Sequence, residues 1–563
     1  MKNREGKQYV SIVEGYRDGD KVKHRTLKSL GKLELLEADN PKFLEELKQE
    51  VKDGKYNLSA ESMTVNFDLN KAINNPLKNY GWKLLECIYD DLDISKPIKE
   101  FKKNSKSRIK LDEILKLLIF QRIINPESKM KTVENQDLIF DAPDAVLHDV
   151  YRSLDVFDEL SEKIQFNVHQ SITDSIGRSA ALVFYDVTNY YFETDLDDEM
   201  VEGDETTGLR RRGPSKEHRP KPIVQMGLFM DSNGIPIAYK IFPGNCVDVK
   251  TYLPAIEQIK EQFGIERIVV VADKAMNSKG NISATLKDGN GYLFSQKFRG
   301  KQGSPKDIQN FILNDDDWQM NETETFAMKS FIRTRIVEGK EITEKVLATW
   351  NQKYDFREKV RREKSVEYAE KLTASERFRM TMKKGGKRYL NVEQLDPKTG
   401  EITEADFHIT INEEQIEYDA KFDGINVLIT CETEMTNQTM LSNYHSLAKI
   451  EDCFRVLKSE FDARPVFVWT PKRINAHFLV CFLSLIVMRV LEHEIGYKYS
   501  PALIKEALES AQCKELDKGY WEVFGSENFL EINKLLKLDW VKQYVPLEKL
   551  RKYGNSLRIQ QKI

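Results

Sequence analysis

Two continuous apolar runs, ALVFYDVT at residues 181–188 and RIVVVADKA at 267–275, are rich in Val, Phe and Tyr and predict strands buried on both faces. Between them lie IVQMGLFMD at 223–231 and IPIAYKIFPGN at 235–245, joined at Asn233 and Gly234 by a hairpin turn. A helix containing Tyr252 to Phe263 follows, with Asp248 or Thr251 expected to cap it, and YLFSQ at 292–296 predicts a fifth strand. Residues 75–175 repeat their apolar positions at helical spacing and predict a helical region. Residues 443–469, NYHSLAKIEDCFRVLKSEFDARPVFVW, predict one amphipathic helix with a proline-bearing exit. Its apolar face carries Ile450, Phe454, Leu457 and Phe461, and a neighbouring stripe carries Tyr444, Leu447, Glu451, Arg455 and Lys458.

The remaining stretches are read the same way. Residues 474–495 are apolar on nearly all sides and predict a buried helix, in which His477 is a core residue. Near the start, the alternation from Tyr9 predicts a β-hairpin whose second arm carries Lys21, Lys23, His24, Arg25 and Lys28, followed by a helix over Pro41–Lys52. Residues 298–422 predict strands, KSFIRTRIV and FHITI among them, and a charged helix, YDFREKVRREKSVEYAEKL. A last strand is expected at 422–431, and the tail beyond Pro501 reads as helical.

Chemistry enters through the acids. Asp186 and Asp273 stop the two buried runs, and the carboxyl ends of buried strands are where α/β sheets place ligands. Together with Glu451 they offer the hard oxygen ligands that a pair of divalent cations needs, with positions left for phosphate and water.

At 563 residues the chain is long enough for three or four units. Its net charge is only −4, so a nucleic-acid partner depends on where the basic residues cluster. Two clusters qualify: KEFKKNSKSRIK at 99–110, and RRRGPSKEHRPK at 210–221, which offers Arg210, Arg211, Arg212, Lys216 and Arg219 to a phosphate backbone. The six cysteines make no metal-ligand spacing, which argues against structural zinc and for reduced thiols. MKNREGKQYV lacks an apolar signal segment, and the most hydrophobic stretch, Phe478 to Met488, is too short to span a bilayer, so a cytoplasmic protein without a membrane role is expected.

These residues resemble the DDE transposases of bacterial insertion sequences, specifically the insertion sequence four group. That group's signature is Tyr, two residues, Arg, three residues, Glu, six residues, Lys; Tyr444, Glu451 and Lys458 match it, and Leu447 stands at the Arg position. PGNCVD at 243–248, FDG at 422–424 and FDARPVFVW at 461–469 extend the resemblance. It implies an α/β RNase H-like, retroviral-integrase-like catalytic core over 178–297 and 423–500, interrupted by a β-rich insertion at 298–422. An N-terminal β-hairpin module at 1–60, a helical DNA-binding region at 75–175 and a helical C-terminal region at 501–563 complete the expected organisation.

The activity implied is binding of insertion-sequence ends followed by metal-dependent strand cleavage and strand transfer, with Asp186, Asp273 and Glu451 holding Mg2+, for which Mn2+ substitutes. Tyr444, Arg455 and Lys458 would contact DNA, and Trp318 or Trp350 would hold an extruded base. The implied partners are double-stranded DNA, both terminal inverted repeats and target, and a second copy of the chain in a homodimeric end complex, near the nucleoid of a bacterium or archaeon. The rivals are an RNase H-like nuclease that cuts without joining and an inactive transposase-derived DNA-binding protein. A dehalogenase-type phosphatase is disfavoured, because Val187 and Thr188 follow Asp186 where that chemistry needs a second Asp two residues on.

Overall fold

The alternation from Tyr9 forms strand β1 (Tyr9–Asp18), antiparallel to β2 (Lys21–Lys32), with Tyr9 opposite Lys32 and Asp18 opposite Lys21. Two helices follow, Leu33–Asp39 and Phe43–Lys52, where the sequence suggested one. In this computed structural model Met1–Asn74 with Leu516–Lys518 form one compact unit, and Asn75–Glu515 with Gly519–Ile563 form another. The structure describes residues 8–18, 21–52, 76–179, 181–199, 208–214, 220–300, 305–314, 316–373, 389–394, 407–516, 519–540 and 542–555.

The larger unit is built on a sheet. Its strands are β4 (Leu182–Tyr191), β5 (Ile223–Met230), β6 (Pro236–Pro243), β7 (Val269–Ala272), β8 (Gly291–Ser295), β9 (Gln319–Met320), β10 (Phe326–Val337), β11 (Lys340–Asn351) and β14 (Ile425–Thr430). Their order is β6-β5-β4-β7-β8-β14-β11-β10-β9. The first three in sequence form an antiparallel meander, and β7 and β8 then run parallel to β4. This mixed arrangement is an RNase H-like core, and β10 and β11, which arise within 298–422, extend the same sheet through β14. β12 (Leu390–Gln394) and β13 (Phe407–Ile411) pair separately.

Period-two alternation divides β4 between two cores. Val183, Tyr185 and Val187 pack with Tyr252, Ile256 and Ile259 of helix Asp248–Phe263, whereas Phe184 and Tyr190 share a core with Ile450, Phe454 and Leu457. Helix Asp248–Phe263 is not capped as expected: its N-cap is Val247, which makes no side-chain cap, and Thr251 lies inside it, accepting a 2.8 Å hydrogen bond from the Tyr185 hydroxyl. Behind β4 runs the 24-residue helix Pro471–Glu494, packed on helices Leu147–Ile176 and Leu111–Ile124. It is the buried helix expected over 474–495, begun three residues earlier; by length and composition it could cross a membrane, and 94% of its apolar window is buried in the core. The tail corrects the sequence reading further, because β15 (Gln512–Glu515), β16 (Tyr520–Phe524) and β17 (Tyr544–Pro546) form a four-stranded sheet with β3 (Lys78–Asn79), alongside helices.

One buried ion pair fixes the β5–β6 turn. Arg178 Nε meets Asp231 Oδ2 at 2.7 Å, both side chains being sealed from solvent, and Arg178 Nη2 donates to the Pro236 carbonyl at 2.8 Å. Asp231 Oδ1 accepts from the amides of Asn233 and Ile235, closing the turn in which Gly234 takes φ +89°. That turn in turn supports the helix bearing Glu451, because Lys449 Nζ donates to the Ser232 carbonyl at 2.8 Å.

Candidate active site

Strand register decides where the two aspartates stand. β4 and β7 pair in parallel with Leu182 opposite Val269 and Phe184 opposite Val271. Two more steps bring Asp186 level with Asp273, the first residue beyond β7, on strands spaced about 4.8 Å apart. Pairing of Ala272 with Phe294 carries the row on to Ser295. Phe184, Val271 and Leu293 all belong to the core on the Glu451 side, so by alternation Asp186, Asp273 and Ser295 face that side too. Asp186 does not end its strand, as the apolar run suggested; β4 continues to Tyr191, and it is β7 that stops at this level.

The expected single helix is two, Asn437–His445 and Leu447–Arg455, meeting at Ser446, followed by a π-helical turn over Val456–Glu460. Its apolar face is as the periodicity predicts: Ile450, Phe454, Leu457 and Phe461 are buried, and the second helix packs on β4. Adjacent acids then part ways. Burial alone would raise the Asp452 carboxyl, but Arg489 and Arg455, each 2.6 Å away, hold it below the usual carboxylate range. Glu451 is exposed.

Burial first, and then the charges of Asp273, Glu451 and Asp186, push the Tyr444 phenol above its ordinary value. The phenol therefore stays protonated. Among the described residues no three His, Cys, Asp or Glu side chains form a group able to hold one ion.

The cations sort into engaged and available. Lys458 Nζ donates to Thr188 Oγ1 at 2.7 Å and lies 5.5 Å from the Tyr190 ring, so the π turn delivers its charge beside the Asp186 face of β4. Arg455, expected on DNA, is held by Asp452 at 2.6 Å and Glu460 at 3.6 Å. Leu447 is buried, so the position of the signature Arg points into the core here. In the loop after β4, Arg210 pairs with Asp198 at 2.7 Å and lies over Trp469 at 4.8 Å, and Arg212 donates to the carbonyls of Asp195 and Pro220. Arg211 is tied by its backbone to Ile223, and its Nε and Nη2 are buried without a hydrogen-bond partner. Lys216 and Arg219 lie outside the described residues. The first half of the basic stretch at 99–110 belongs to helix Lys96–Asn104.

Neither candidate tryptophan is presented as a free ring. Trp318 and Trp350 are half-buried against the core, Trp318 under Lys329 Nζ at 4.7 Å and Trp350 against Gly424. Sequence reasoning missed Ser295 and Thr188, although each is a polar residue in a buried strand, on the acid-bearing face. It placed His477 correctly: the ring is buried, Nε2 contacts the Ala463 carbonyl at 3.1 Å and Nδ1 contacts Lys129 Nζ at 3.2 Å.

That buried lysine supports the exit from the Glu451 helix, and it gives a pH signature. Burial, with Arg122 nearby, pushes Lys129 down to about 7. An unfolded lysine keeps its proton to about 10.4, so between pH 7 and 10 the unfolded chain binds more protons and stability rises with pH, by at most about 1.4 kcal/mol per unit from this group. Urea melts from pH 7 to 9.5 should show a steeper rise for the wild type than for Lys129→Met; equal slopes would mean that Lys129 is charged in the fold.

Residues 193–487 match the family described as the transposase DDE domain, and residues 1–60 match the N-terminal domain of IS1634 family transposases. No curated protein matches the chain. Among solved structures, a piggyBac transposase synaptic complex with hairpin DNA aligns over 87% of this chain and 88% of that one, at 9% identity and a TM-score of 0.36. A Mos1 transposase paired-end complex with left transposon end aligns over 34% of this chain and 64% of that one, at 12% identity and a TM-score of 0.14. Likeness this low adds nothing to the assignment. The family match spans more than half of the 563 residues, and on it the chain belongs to the insertion-sequence DDE transposases.

Proposed function

We propose that this transposase binds the ends of its own insertion sequence and performs metal-dependent strand cleavage and strand transfer, in a cut-and-paste reaction, with Asp186, Asp273 and Glu451 as its catalytic carboxylates. One observation carries the reading: the register that sets Asp186 level with Asp273, on the face covered by the Glu451 helix. A pair of Mg2+ ions, or Mn2+ in their place, would activate the attacking oxygen and stabilise the leaving one. The chain's own residues do the rest. Asp186 would be the shared ligand, with Asp273 and Glu451 each completing one ion's site; protonated Tyr444 can donate to a phosphate oxygen; and Lys458, beside Thr188, neutralises phosphate charge near the reacting bond.

The insertion sequence four signature belongs to the same reading, with Leu447 as its departure. The strands of 298–422 then correspond to the β-rich insertion of that group, the hairpin of residues 9–32 to its N-terminal module, and the working form to a homodimer pairing two ends.

The test uses the full chain, Mg2+ and a DNA fragment carrying the sequences that flank its coding region. The expected products are nicks or breaks at the element's ends and joined molecules in a target plasmid. Cleavage without joined products would favour a nuclease on the same fold, and binding without cleavage an inactive DNA-binding descendant.

A further inference from the structure

The charged helix Gln352–Thr373 carries its charges in separate bands. At 100° per residue, Lys353, Arg357, Arg361, Lys364 and Lys371 fall within an arc of about 80°. Every acid of the helix lies at least about 40° outside that arc. All five cations are exposed, and no carboxylate among the described residues pairs with them. The spacing is unfavourable for an isolated helix: Lys353 with Arg357, and Arg357 with Arg361, are like charges four residues apart, each costing about 0.2–0.5 kcal/mol.

Other contacts lock the helix in place, so the band has a fixed direction. Arg299 pairs with Glu358, Arg362 pairs with Asp423, and Ala369 is buried in a small cluster with Tyr389 and Leu390. Topology then relates the band to the acids. β14 is antiparallel to β8, and β11 is antiparallel to β14, so β11 runs the same way as β4 and β7. The row through Asp273 and Ser295 continues to Leu428 and Leu347, and the helix begins at Gln352, on the same edge of the sheet. Five residues along and three strands across amount to about 20 Å, or roughly six base pairs of duplex.

We propose that this band is a phosphate-tracking surface for duplex DNA, holding the double helix that runs away from the candidate active site. The inference rests on the proposed DNA-cleaving function and adds a surface to it. Its length, about 27 Å from Lys353 to Lys371, suits several successive phosphates. Contacts of this kind supply affinity and orientation, not sequence preference.

The experiment measures binding of the full chain to a labelled duplex at several salt concentrations, for wild type, for Arg357→Gln/Arg361→Gln/Lys364→Gln, and for Lys359→Gln on the opposite flank of the same helix. The triple variant should lower the slope of log K against log salt by about two to three, equally for end-bearing and unrelated duplexes, with an unchanged melting temperature. Lys359→Gln should match wild type. If wild type binds and cuts its own flanking DNA but the triple variant keeps the wild-type slope, the surface is wrong and the catalytic reading survives. If wild type binds no duplex at all, both fall; a loss of equal size in Lys359→Gln would make the effect one of net charge and also overturn the band.

Discussion

Asp186→Asn, Asp273→Asn and Glu451→Gln are each expected to lower strand cleavage about a thousandfold or more, a loss of roughly 4 kcal/mol of transition-state stabilisation, with binding to the element's ends retained. Each substitution keeps the side chain's size and removes one anionic donor, and a site whose ions would rest on pairs of carboxylates would have no spare ligand to replace it. Asp452 is the internal control. It adjoins Glu451 in sequence but is occupied by Arg489 and Arg455, so Asp452→Asn should alter stability more than cleavage. Single-turnover cleavage of end DNA, read beside a gel-shift titration, separates the two. Any member of the triad that cuts at near wild-type rate as its amide would have to be removed from the site.

The second large effect is on stability. Asp231→Ala leaves the Arg178 guanidinium buried without its counter-charge, and strips two amide hydrogen bonds from the β5–β6 turn. Burial already works against that cation, and Asp231 offsets it. Breaking such a pair from one side typically costs about 3–5 kcal/mol, a large part of a domain's stability. Denaturant unfolding should show this loss, and Arg178→Leu/Asp231→Leu should recover part of it. A single variant within 1 kcal/mol of wild type would mean that the turn is held by other contacts. Because Lys449 bonds Ser232 in this turn, residual folded protein should also cleave more slowly.

Much of this arrangement was legible before any coordinates. Continuous apolar runs mark strands buried on both faces, and those at 182–191, 223–230 and 269–272 are such strands. The helical repeat of Ile450, Phe454, Leu457 and Phe461 named the packing face of the Glu451 helix. What failed was local and had local causes. An acid in a hydrophobic run reads as a strand end, but Asp186 sits where β4 outruns β7, so one strand continues past an acid while its neighbour stops. Periodicity cannot show the break at Ser446 or the π turn after Arg455, since the apolar positions recur across both. Pairing partners are equally invisible. Nothing in RRRG says that Arg210 is spent on Asp198 and Trp469, or in the helix at 352–373 that its inward charges are consumed by Arg299 and Asp423 while one band stays open.

Localised backbone cutting offers the most direct test of the three-acid site. With Fe2+ in place of Mg2+, end DNA bound and ascorbate and peroxide added, hydroxyl radicals form at the ion and cleave the nearest main chain. The expected fragments end near residues 186, 273 and 451 together, compete away with Mg2+, and vanish in Asp186→Asn. Cuts near only one of the three, or cuts unchanged in that variant, would contradict a shared metal site.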